Sequence, residues 1–437
     1  MAVKILHMAD IHLDCAFTGS GFPPELTRKL RSNLKSTLAK IFEMARQEQV
    51  DIITICGDLY ESERISADTF RFLKDEFLKL SPVKIFIAPG NHDPFTPSSI
   101  YAGLEKANLS NVHIFKEPRF VPVEISEGIY LWGFAHPSPD YRGEPLKEFK
   151  INYPAARLQG IPSGKLVLQQ ELPERVGFCN SDPERSEGEE SQSEILRDAQ
   201  DDCGVFDRKI NNEGCNILLF HGSDTRAVPD GKAVHAPFTY DEVVQAGASI
   251  ALTGHYHKMR CDLKNKPLLI YPGSPEPLGF DESGEHFAVV VKVEKNGESS
   301  AAPVKTNIIN FSTEEIDITG ISSSADGAQK IKDAAGKYGR TDIVRVILKG
   351  RIDPEISIDT GTLSDNLKGE ILYLAVLDKT EPAFDYGSIA EEINVRGVFV
   401  KKIFTEMESA GEKRKEVLEQ ALKLGLEAFE KKEIILP

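Results

Sequence analysis

The feature that most constrains the fold is an alternation of short apolar runs and amphipathic helical stretches over the first 135 residues. The runs VKILHMA, DIITIC and VKIFIA have the length and composition of buried strands. Between them, ELTRKLRSNLKSTLAKIFEMARQ and SADTFRFLKDEFLKL carry apolar residues at helical spacing. Strands that alternate with helices predict an α/β fold whose neighbouring strands run parallel in a largely buried sheet.

Side chains of the kinds that bind metal ions follow directly after five of the predicted strands. In chain order these residues are Asp10, His12, Asp58, Asn91, His221, His255 and His257. Because ligands in open α/β sheets gather at the carboxyl ends of the strands, these segments can converge on one site. Carboxylate, imidazole and amide-oxygen donors together suit divalent manganese, iron or zinc, and they argue against a sulfur-rich structural zinc site.

The seven donors exceed what one tetrahedral ion would use, which favours two ions about 4 Å apart. Asp58 is the natural bridge between them, because each of its carboxylate oxygens can serve one ion. The pairs Asp10/His12 and His255/His257 are spaced so that both members point to one side of an extended chain. Two such ions stabilise the attacking and leaving oxygens of phosphoryl transfer and acidify water near neutral pH.

The segment PGNHDP adds a further group beside the predicted ligand Asn91. His92 has no metal role in this assignment, and we predict that it acts as the acid, or as a transition-state donor, for the leaving oxygen. The neighbouring Asp93 is predicted to hold the His92 ring in orientation. A plain turn is the alternative for this segment, since Pro, Gly, Asn and Asp all favour turns for backbone reasons.

Composition limits the partners of the chain only weakly. The formal net charge is −16, and residues 171–213 alone hold 13 acidic against 5 basic side chains. The remainder is mildly acidic without a broad basic stripe, so charge neither demonstrates nor excludes a nucleic-acid partner. The six cysteines are scattered without a CxxC pair, and there is neither a signal-type apolar region nor an 18-residue apolar span. We therefore expect a cytoplasmic protein with reduced thiols and no membrane association.

The motifs DIH, GD, GNHD, H and GHYH, in this order, resemble those of the calcineurin-like metallophosphoesterase superfamily. The segments LHMADIHLDCAF and YPGSPEPLGFDESG (271–284) are similar to its DNA-repair branch, the SbcD-type exonucleases and their YhaO-type relatives. The resemblance covers residues 1–312 well apart from 155–213, and it is looser beyond residue 312. It implies an α/β fold in which a two-sheet β-sandwich is flanked by helices.

The resemblance also implies two domains. Residues 1–312 would form the metallophosphoesterase (nuclease) domain, and residues 313–437 a smaller α+β capping domain that guides DNA and ends in a C-terminal helix. Within the first domain, the polar and acidic composition of residues 155–213 predicts a disordered insertion.

A stripe of apolar residues occupies one face of the predicted C-terminal helix. Its members are Leu418, Leu422, Leu426 and Phe429. The stripe would either pack against the capping domain or dock onto the base of an SbcC-type coiled-coil ATPase.

For the site, the resemblance implies that one ion is bound by Asp10, His12, Asp58 and His257. It implies that the other ion is bound by Asp58, Asn91, His221 and His255, with His92 acting on the scissile phosphate. Manganese is the usual activating ion of the repair branch. Glu61 is a departure, because repair nucleases often have a histidine three residues after the bridging aspartate, and it bears on rate, DNA positioning and exonuclease mode.

These observations predict a dinuclear-metal phosphodiesterase that cleaves DNA, as the exonuclease subunit of a DNA-repair complex. A phosphatase or nucleotide phosphodiesterase for small substrates would use the same metal core. A third alternative is a catalytically idle DNA-binding scaffold subunit, against which the presence of all seven ligands argues. The expected partners are DNA, an SbcC-type ATPase and, from the family, a second copy of the chain in a homodimer.

Overall fold

The structure is a computed structural model that describes residues 2–17, 21–151, 214–228, 233–262, 267–354, 356–367 and 369–431. The insertion predicted at residues 155–213 lies outside these ranges. The elements described below belong to one compact unit, which comprises Met1–Phe149 and Gly214–Pro437.

The first sheet contains the strands that alternate with helices in the sequence. In spatial order they are β12 (Ser299–Lys305), β11 (Phe287–Val293), β1 (Val3–Met8), β2 (Ile52–Cys56), β3 (Lys84–Ala88) and β4 (Val112–Ile114). β1 to β4 run parallel to one another, whereas β11 pairs antiparallel with both β1 and β12. The predicted parallel arrangement of the three N-terminal apolar runs is confirmed.

The second sheet is formed by the middle of the chain. In spatial order its strands are β5 (Val121–Ser126), β6 (Ile129–Gly133), β7 (Cys215–His221), β8 (Ile250–Gly254), β10 (Leu268–Tyr271) and β9 (Arg260–Asp262). β6, β7, β8 and β10 run parallel, so the carboxyl ends of β7 and β8 lie side by side.

The two sheets share a core because alternate side chains along a strand point to opposite faces. Ile5 of β1 packs in the same apolar cluster as Ile217 of β7 and Leu252 of β8. Leu6, the next residue of β1, lies instead in the cluster that the helices cover. This arrangement is a two-sheet sandwich, as expected.

Helices cover the outer face of the first sheet. These are α1 (Pro24–Gln47), α2 (Ala67–Lys79) and α3 (Ile100–Lys106), which contribute to the apolar cluster on this face. A fourth helix, α4 (Tyr240–Gln245), connects β7 and β8 of the second sheet. α1 buries Leu30, Leu34 and Leu38, whose spacing of four residues places them on one face of the helix toward the β1 core. The predicted α/β sandwich flanked by helices is therefore confirmed.

The remaining elements begin with a parallel sheet of β13 (Asn310–Asp317), β14 (Asp342–Lys349) and β16 (Tyr373–Asp378). The other strands and helices of this part are β15 (Arg351–Ile352), β17 (Glu381–Pro382), α5 (Ser324–Ala335), α6 (Thr360–Asn366), α7 (Tyr386–Glu391), α8 (Val395–Ser409) and α9 (Glu412–Lys431). They have two apolar clusters of their own, and Phe311 of β13 and Ile343 of β14 also belong to the cluster between the first sheet and its helices. The division into domains at residue 312 stays a prediction.

The apolar stripe predicted at the C-terminus lies on α9. Leu418, Leu422 and Leu426 are buried, and the last two pack with Ile389 and Val400. Phe429 is 46% exposed. The stripe packs within the tail itself. None of the helices in the described ranges is both long enough and apolar enough to cross a membrane.

Candidate metal centre

The five predicted ligand segments follow β1, β2, β3, β7 and β8, whose carboxyl ends meet at one edge of the sandwich. All seven predicted ligands come together there, although they are spread over 248 positions of the sequence, from residue 10 to residue 257. A hydrogen bond from His221 Nδ1 to the carbonyl oxygen of Cys56, 2.9 Å long, ties the second sheet to the first at this edge.

The donor atoms form two clusters. In the first, one atom each from Asp10, His12 and His257 lies within 4.8 Å of the others. In the second, the same holds for Asp58, His221 and His255. Each cluster thus offers carboxylate and imidazole donors at a separation that one cation can span.

Asp58 and Asn91 complete the arrangement. Asp58 Oδ2 lies 3.7 Å from His12 Nε2 in the first cluster and 3.3 Å from His221 Nε2 in the second. Asn91 Oδ1 lies 3.1 Å from the same His221 nitrogen. The position of Asp58 between the clusters is the one predicted for a bridging carboxylate.

The hydrogen bonds of His12 and His257 indicate which ring nitrogen of each is available to bind a cation. His12 Nδ1 donates to Glu61 at 2.7 Å, and His257 Nδ1 donates to Glu282 at 2.6 Å. In a neutral ring the proton on Nδ1 leaves the lone pair on Nε2. The two Nε2 atoms face each other 3.2 Å apart, so two lone pairs point into one space. A divalent cation between them fits this donor set.

The carboxylates around the second cluster favour a positive charge beside them. Burial disfavours a charge on His221, but the carboxylates of Asp58 and Asp10 raise the pKa of this imidazole to about 10. Burial likewise opposes ionisation of Asp58, yet the nearby His221, His12 and His92 hold its pKa well below the ordinary value. The negative charge of the carboxylates can be balanced by a proton on His221 or by a cation beside it. In the second case the His221 ring is neutral and its Nε2 can bind the cation.

The backbone is strained where it presents these ligands. Asp10, His12 and Asp58 have φ angles of 55°, 50° and 52°, and φ at His255 is 107°. Such conformations cost roughly 1–3 kcal/mol for a residue other than glycine and concentrate at functional sites. At these four positions the strained backbone conformation directs the side chains into the two clusters.

Close packing of the loops explains one glycine in particular. A Cβ added to Gly90 would lie 2.4 Å from Asp58 Oδ1 and 2.8 Å from the Asp58 backbone nitrogen. Only a residue without a side chain lets the loop after β3 approach the bridging carboxylate this closely.

Asp93 holds the backbone of these loops. Its oxygens accept hydrogen bonds from the amides of Gly90 at 2.7 Å, Asp58 at 3.0 Å and Leu59 at 2.7 Å, and also from the Tyr101 hydroxyl. The expectation that Asp93 orients the His92 ring by direct contact is corrected by this geometry, because the carboxylate is buried among backbone amides.

The carboxylate that contacts the His92 ring belongs to Glu61. His92 Nδ1 donates to Glu61 Oε2 at 2.9 Å, and the side chain of His92 is 46% exposed. This hydrogen bond raises the pKa of His92 to about 9, although burial acts against it. Burial would raise the pKa of Glu61, but hydrogen bonds from His12 and His92 lower it to about 2. At neutral pH the His92 imidazole is therefore positively charged, and it lies next to His12 of the first cluster.

Sequence reasoning gave no role to Glu61 or Glu282. Glu61 was identified only as a departure from the family pattern, and Glu282 only as part of the segment 271–284. Glu282 Oε2 accepts from Ser274 Oγ at 3.1 Å and from the amide of Leu278 at 3.0 Å, which fixes the carboxylate that holds His257. The segment 271–284 therefore contributes to the site through the orientation of a predicted ligand.

Comparisons with known proteins agree with this geometry. The model of a family described as calcineurin-like phosphoesterase matches residues 3–259, more than half of the chain. The chain is 23% identical over 374 residues to the uncharacterized metallophosphoesterase YhaO of Bacillus subtilis, covering 84% of this chain and 76% of that protein. It is 23% identical over 297 residues to the DNA double-strand break repair protein Mre11 of Methanopyrus kandleri, covering 65% and 52% respectively.

Among solved structures, a dimetal phosphatase from Danio rerio matches 70% of this chain and 99% of its own, with 14% identity and a TM-score of 0.36.

Proposed function

Because this chain belongs to the calcineurin-like phosphoesterase family, we propose that it hydrolyses phosphodiester bonds of DNA with the help of two divalent cations. The observation that carries the proposal is the pair of donor clusters on either side of Asp58, with ring nitrogens and carboxylate oxygens directed into each. Such paired positions suit phosphoryl transfer, in which charge develops on both the attacking and the leaving oxygen.

Each cation has a proposed set of ligands. Asp10, His12, Asp58 and His257 would bind the first, and Asp58, Asn91, His221 and His255 the second. When bound, the pair supplies an acidified water as nucleophile and neutralises charge on the phosphate. Oxygen and nitrogen donors without sulfur are compatible with manganese, which we propose as the activating ion.

His92 is the proposed proton donor. Its ring lies at the edge of the site and is partly exposed, so a substrate phosphate can reach it. Glu61 holds one ring nitrogen, which leaves the opposite nitrogen, Nε2, to face a leaving oxygen. A general acid placed in this way typically contributes about 10²- to 10⁴-fold to the rate.

DNA is proposed as the substrate because of two similarities. The relative from Methanopyrus kandleri is described as a DNA double-strand break repair protein, although the chain spans only 52% of its length. The segments LHMADIHLDCAF and YPGSPEPLGFDESG resemble the DNA-repair branch of the superfamily. An exonuclease subunit of a cytoplasmic repair complex is the most specific function that these similarities support.

A small-substrate phosphodiesterase or phosphatase is the second candidate, and the charge beside the site favours it. A cavity of about 220 Å³ adjoins His257, and its lining holds three acidic residues, Asp281, Glu282 and Glu285, against one lysine, Lys258. These acidic side chains would repel a long polyanion that lay across them.

One experiment separates these functions. Manganese-dependent release of nucleotides from linear DNA is measured beside hydrolysis of bis(p-nitrophenyl) phosphate, for the wild type and for His92→Ala. We expect both activities in the wild type and a roughly 10²-fold or larger loss of DNA cleavage in His92→Ala. Hydrolysis of the small ester without DNA degradation, even with an ATPase partner added, would exclude the nuclease. Inertness toward both substrates would favour a DNA-binding scaffold.

An SbcC-type coiled-coil ATPase and a second copy of the chain are the further partners we propose, both from the resemblance alone. Three residues of the predicted stripe, Leu418, Leu422 and Leu426, are buried and cannot form a docking face for the ATPase, whereas the fourth, Phe429, is 46% exposed. Docking on this helix would therefore use Phe429 together with surface outside the buried part of the stripe.

A further inference from the structure

The carboxylate of Glu61 connects a proposed metal ligand to the proposed proton donor. Its Oε1 accepts a hydrogen bond from His12 Nδ1 at 2.7 Å, and its Oε2 accepts one from His92 Nδ1 at 2.9 Å. The two imidazoles stand edge to face, with ring centroids 4.9 Å apart. A single side chain therefore restricts the rotation of both rings.

Glu61 is itself held by the fold. Its backbone nitrogen donates to the Leu13 carbonyl oxygen at 2.9 Å, and the next nitrogen, of Ser62, donates to the His92 carbonyl oxygen at 3.1 Å. These bonds attach the loop after β2 to the loop after β1 on one side and to the loop after β3 on the other. With 20% of its side chain exposed, Glu61 has little room for other rotamers.

We propose that Glu61 is a positioning residue for the phosphodiesterase reaction, an inference that rests on the proposed function of this site. Through His12 it keeps the proton on Nδ1, so that Nε2 presents its lone pair to the first cation position. Through His92 it fixes the ring plane, so that Nε2 stays directed at the leaving oxygen. Orientation of this kind matters because small displacements of a catalytic group have large effects on rate.

Glu282 provides a matched control within the same site. Its Oε1 accepts from His257 Nδ1 at 2.6 Å, which is the same kind of contact to the imidazole that faces His12. Its other oxygen binds Ser274 and Leu278. Loss of either carboxylate should weaken cation binding by a similar factor, on the order of 10- to 100-fold. Only loss of Glu61 should also disturb His92.

The test is a double-mutant cycle at saturating Mn²⁺, which combines Glu61→Gln or Glu282→Gln with His92→Ala. Two substrates are compared, bis(p-nitrophenyl) phosphate and a dithymidine phosphate, because only the second has a leaving group that needs a proton. We expect Glu61→Gln to reduce kcat on the dinucleotide at least tenfold more than on the aryl ester. That excess should vanish in the His92→Ala background, whereas the effect of Glu282→Gln should persist there.

Two further readouts do not depend on turnover. Calorimetric titration of the metal-stripped protein with Mn²⁺ should show weaker binding for both glutamine variants. In protein with ¹⁵N-labelled histidine, the Nδ1 resonance of His92, assigned by its loss in His92→Ala, should shift in Glu61→Gln and stay in place in Glu282→Gln. Glu61→Ala serves as a second variant if the glutamine variant melts well below the wild type.

The outcomes separate the two proposals. Equal effects of Glu61→Gln on both substrates, with an additive cycle and an unmoved His92 resonance, would overturn the positioning role. A wild type that cleaves neither these two substrates nor linear DNA would remove the proposed function instead. In that case the His92 resonance still decides whether Glu61 holds the ring.

Discussion

Gly90→Ala should damage the metal centre through a single added methyl group. The new Cβ would lie 2.4 Å from Asp58 Oδ1, where ordinary van der Waals contacts begin near 3.4 Å, so about 1 Å of overlap must be relieved. A shift of the carboxylate alone does not relieve the overlap, because the Asp58 backbone nitrogen would lie 2.8 Å from the same methyl group and the Gly57 Cα 3.0 Å from it. The loop after β3 and the loop after β2 must therefore move apart, which displaces the bridging carboxylate from Asn91 and His92.

The cost follows from what that carboxylate contacts. Overpacking of a dense site costs typically about 1–3 kcal/mol. Asp58 Oδ1 also accepts a hydrogen bond from the His92 amide at 2.9 Å, and a bond to a charged group contributes roughly 1.5–3 kcal/mol. We expect Gly90→Ala to lose roughly 2.5–6 kcal/mol of unfolding free energy as the sum of these two contributions. A displacement near 1 Å should also reduce turnover by about 10²-fold.

Urea unfolding followed by tryptophan fluorescence measures this loss directly. The one tryptophan, Trp132, is buried in β6 and reports on the sandwich that carries the site. Gly411→Ala is the control, since a Cβ added there meets nothing within 4 Å. Titration with Mn²⁺ should show that Gly90→Ala weakens or abolishes one of two binding events. A variant that binds two cations with wild-type affinity, and is destabilised by less than about 1 kcal/mol, would refute this account of the site.

Two further perturbations test the site and the core. Burial lowers the pKa of His7 from 6.5 to about 4. Between these two pH values the unfolded chain is protonated at His7 and the folded protein is not. The free energy of unfolding should therefore fall by up to roughly 3 kcal/mol as the pH drops from 6.5 to 4. His7→Asn should flatten this part of the pH profile in urea unfolding, and an unchanged profile would contradict the assignment. Removal of cations with EDTA should lower the Tm, and Mn²⁺ should restore it, because a ligand at 100 times its Kd adds about 2.7 kcal/mol to the native state. Asp58→Asn should be much less sensitive to both additions, and an EDTA-insensitive wild type would contradict cation binding.

The sequence pattern by itself determined the parallel strands and the convergence of the seven donors, whereas the two-sheet sandwich was implied by the family resemblance. Buried parallel strands have a recognisable apolar pattern, and a residue directly after such a strand must lie at the carboxyl edge of the sheet. Asp10 and Asp58 therefore had to be neighbours once β1 and β2 were identified. His221 and His255 follow by the same reasoning from β7 and β8.

Only the tertiary structure decided which carboxylate forms a hydrogen bond with the His92 ring. Asp93 is adjacent to His92 in the chain, yet it binds backbone amides, while Glu61, 31 positions earlier, holds the ring. Such contacts depend on how the loops after β2 and β3 lie against each other, which no periodicity encodes. The leucines of α9 are a second example of a contact that the sequence pattern does not predict. Their spacing predicts that they share one face of the helix, but not which residues cover that face. The positions of the strand ends can be predicted from the local sequence pattern. The contacts between loops depend on how segments far apart in the sequence pack together.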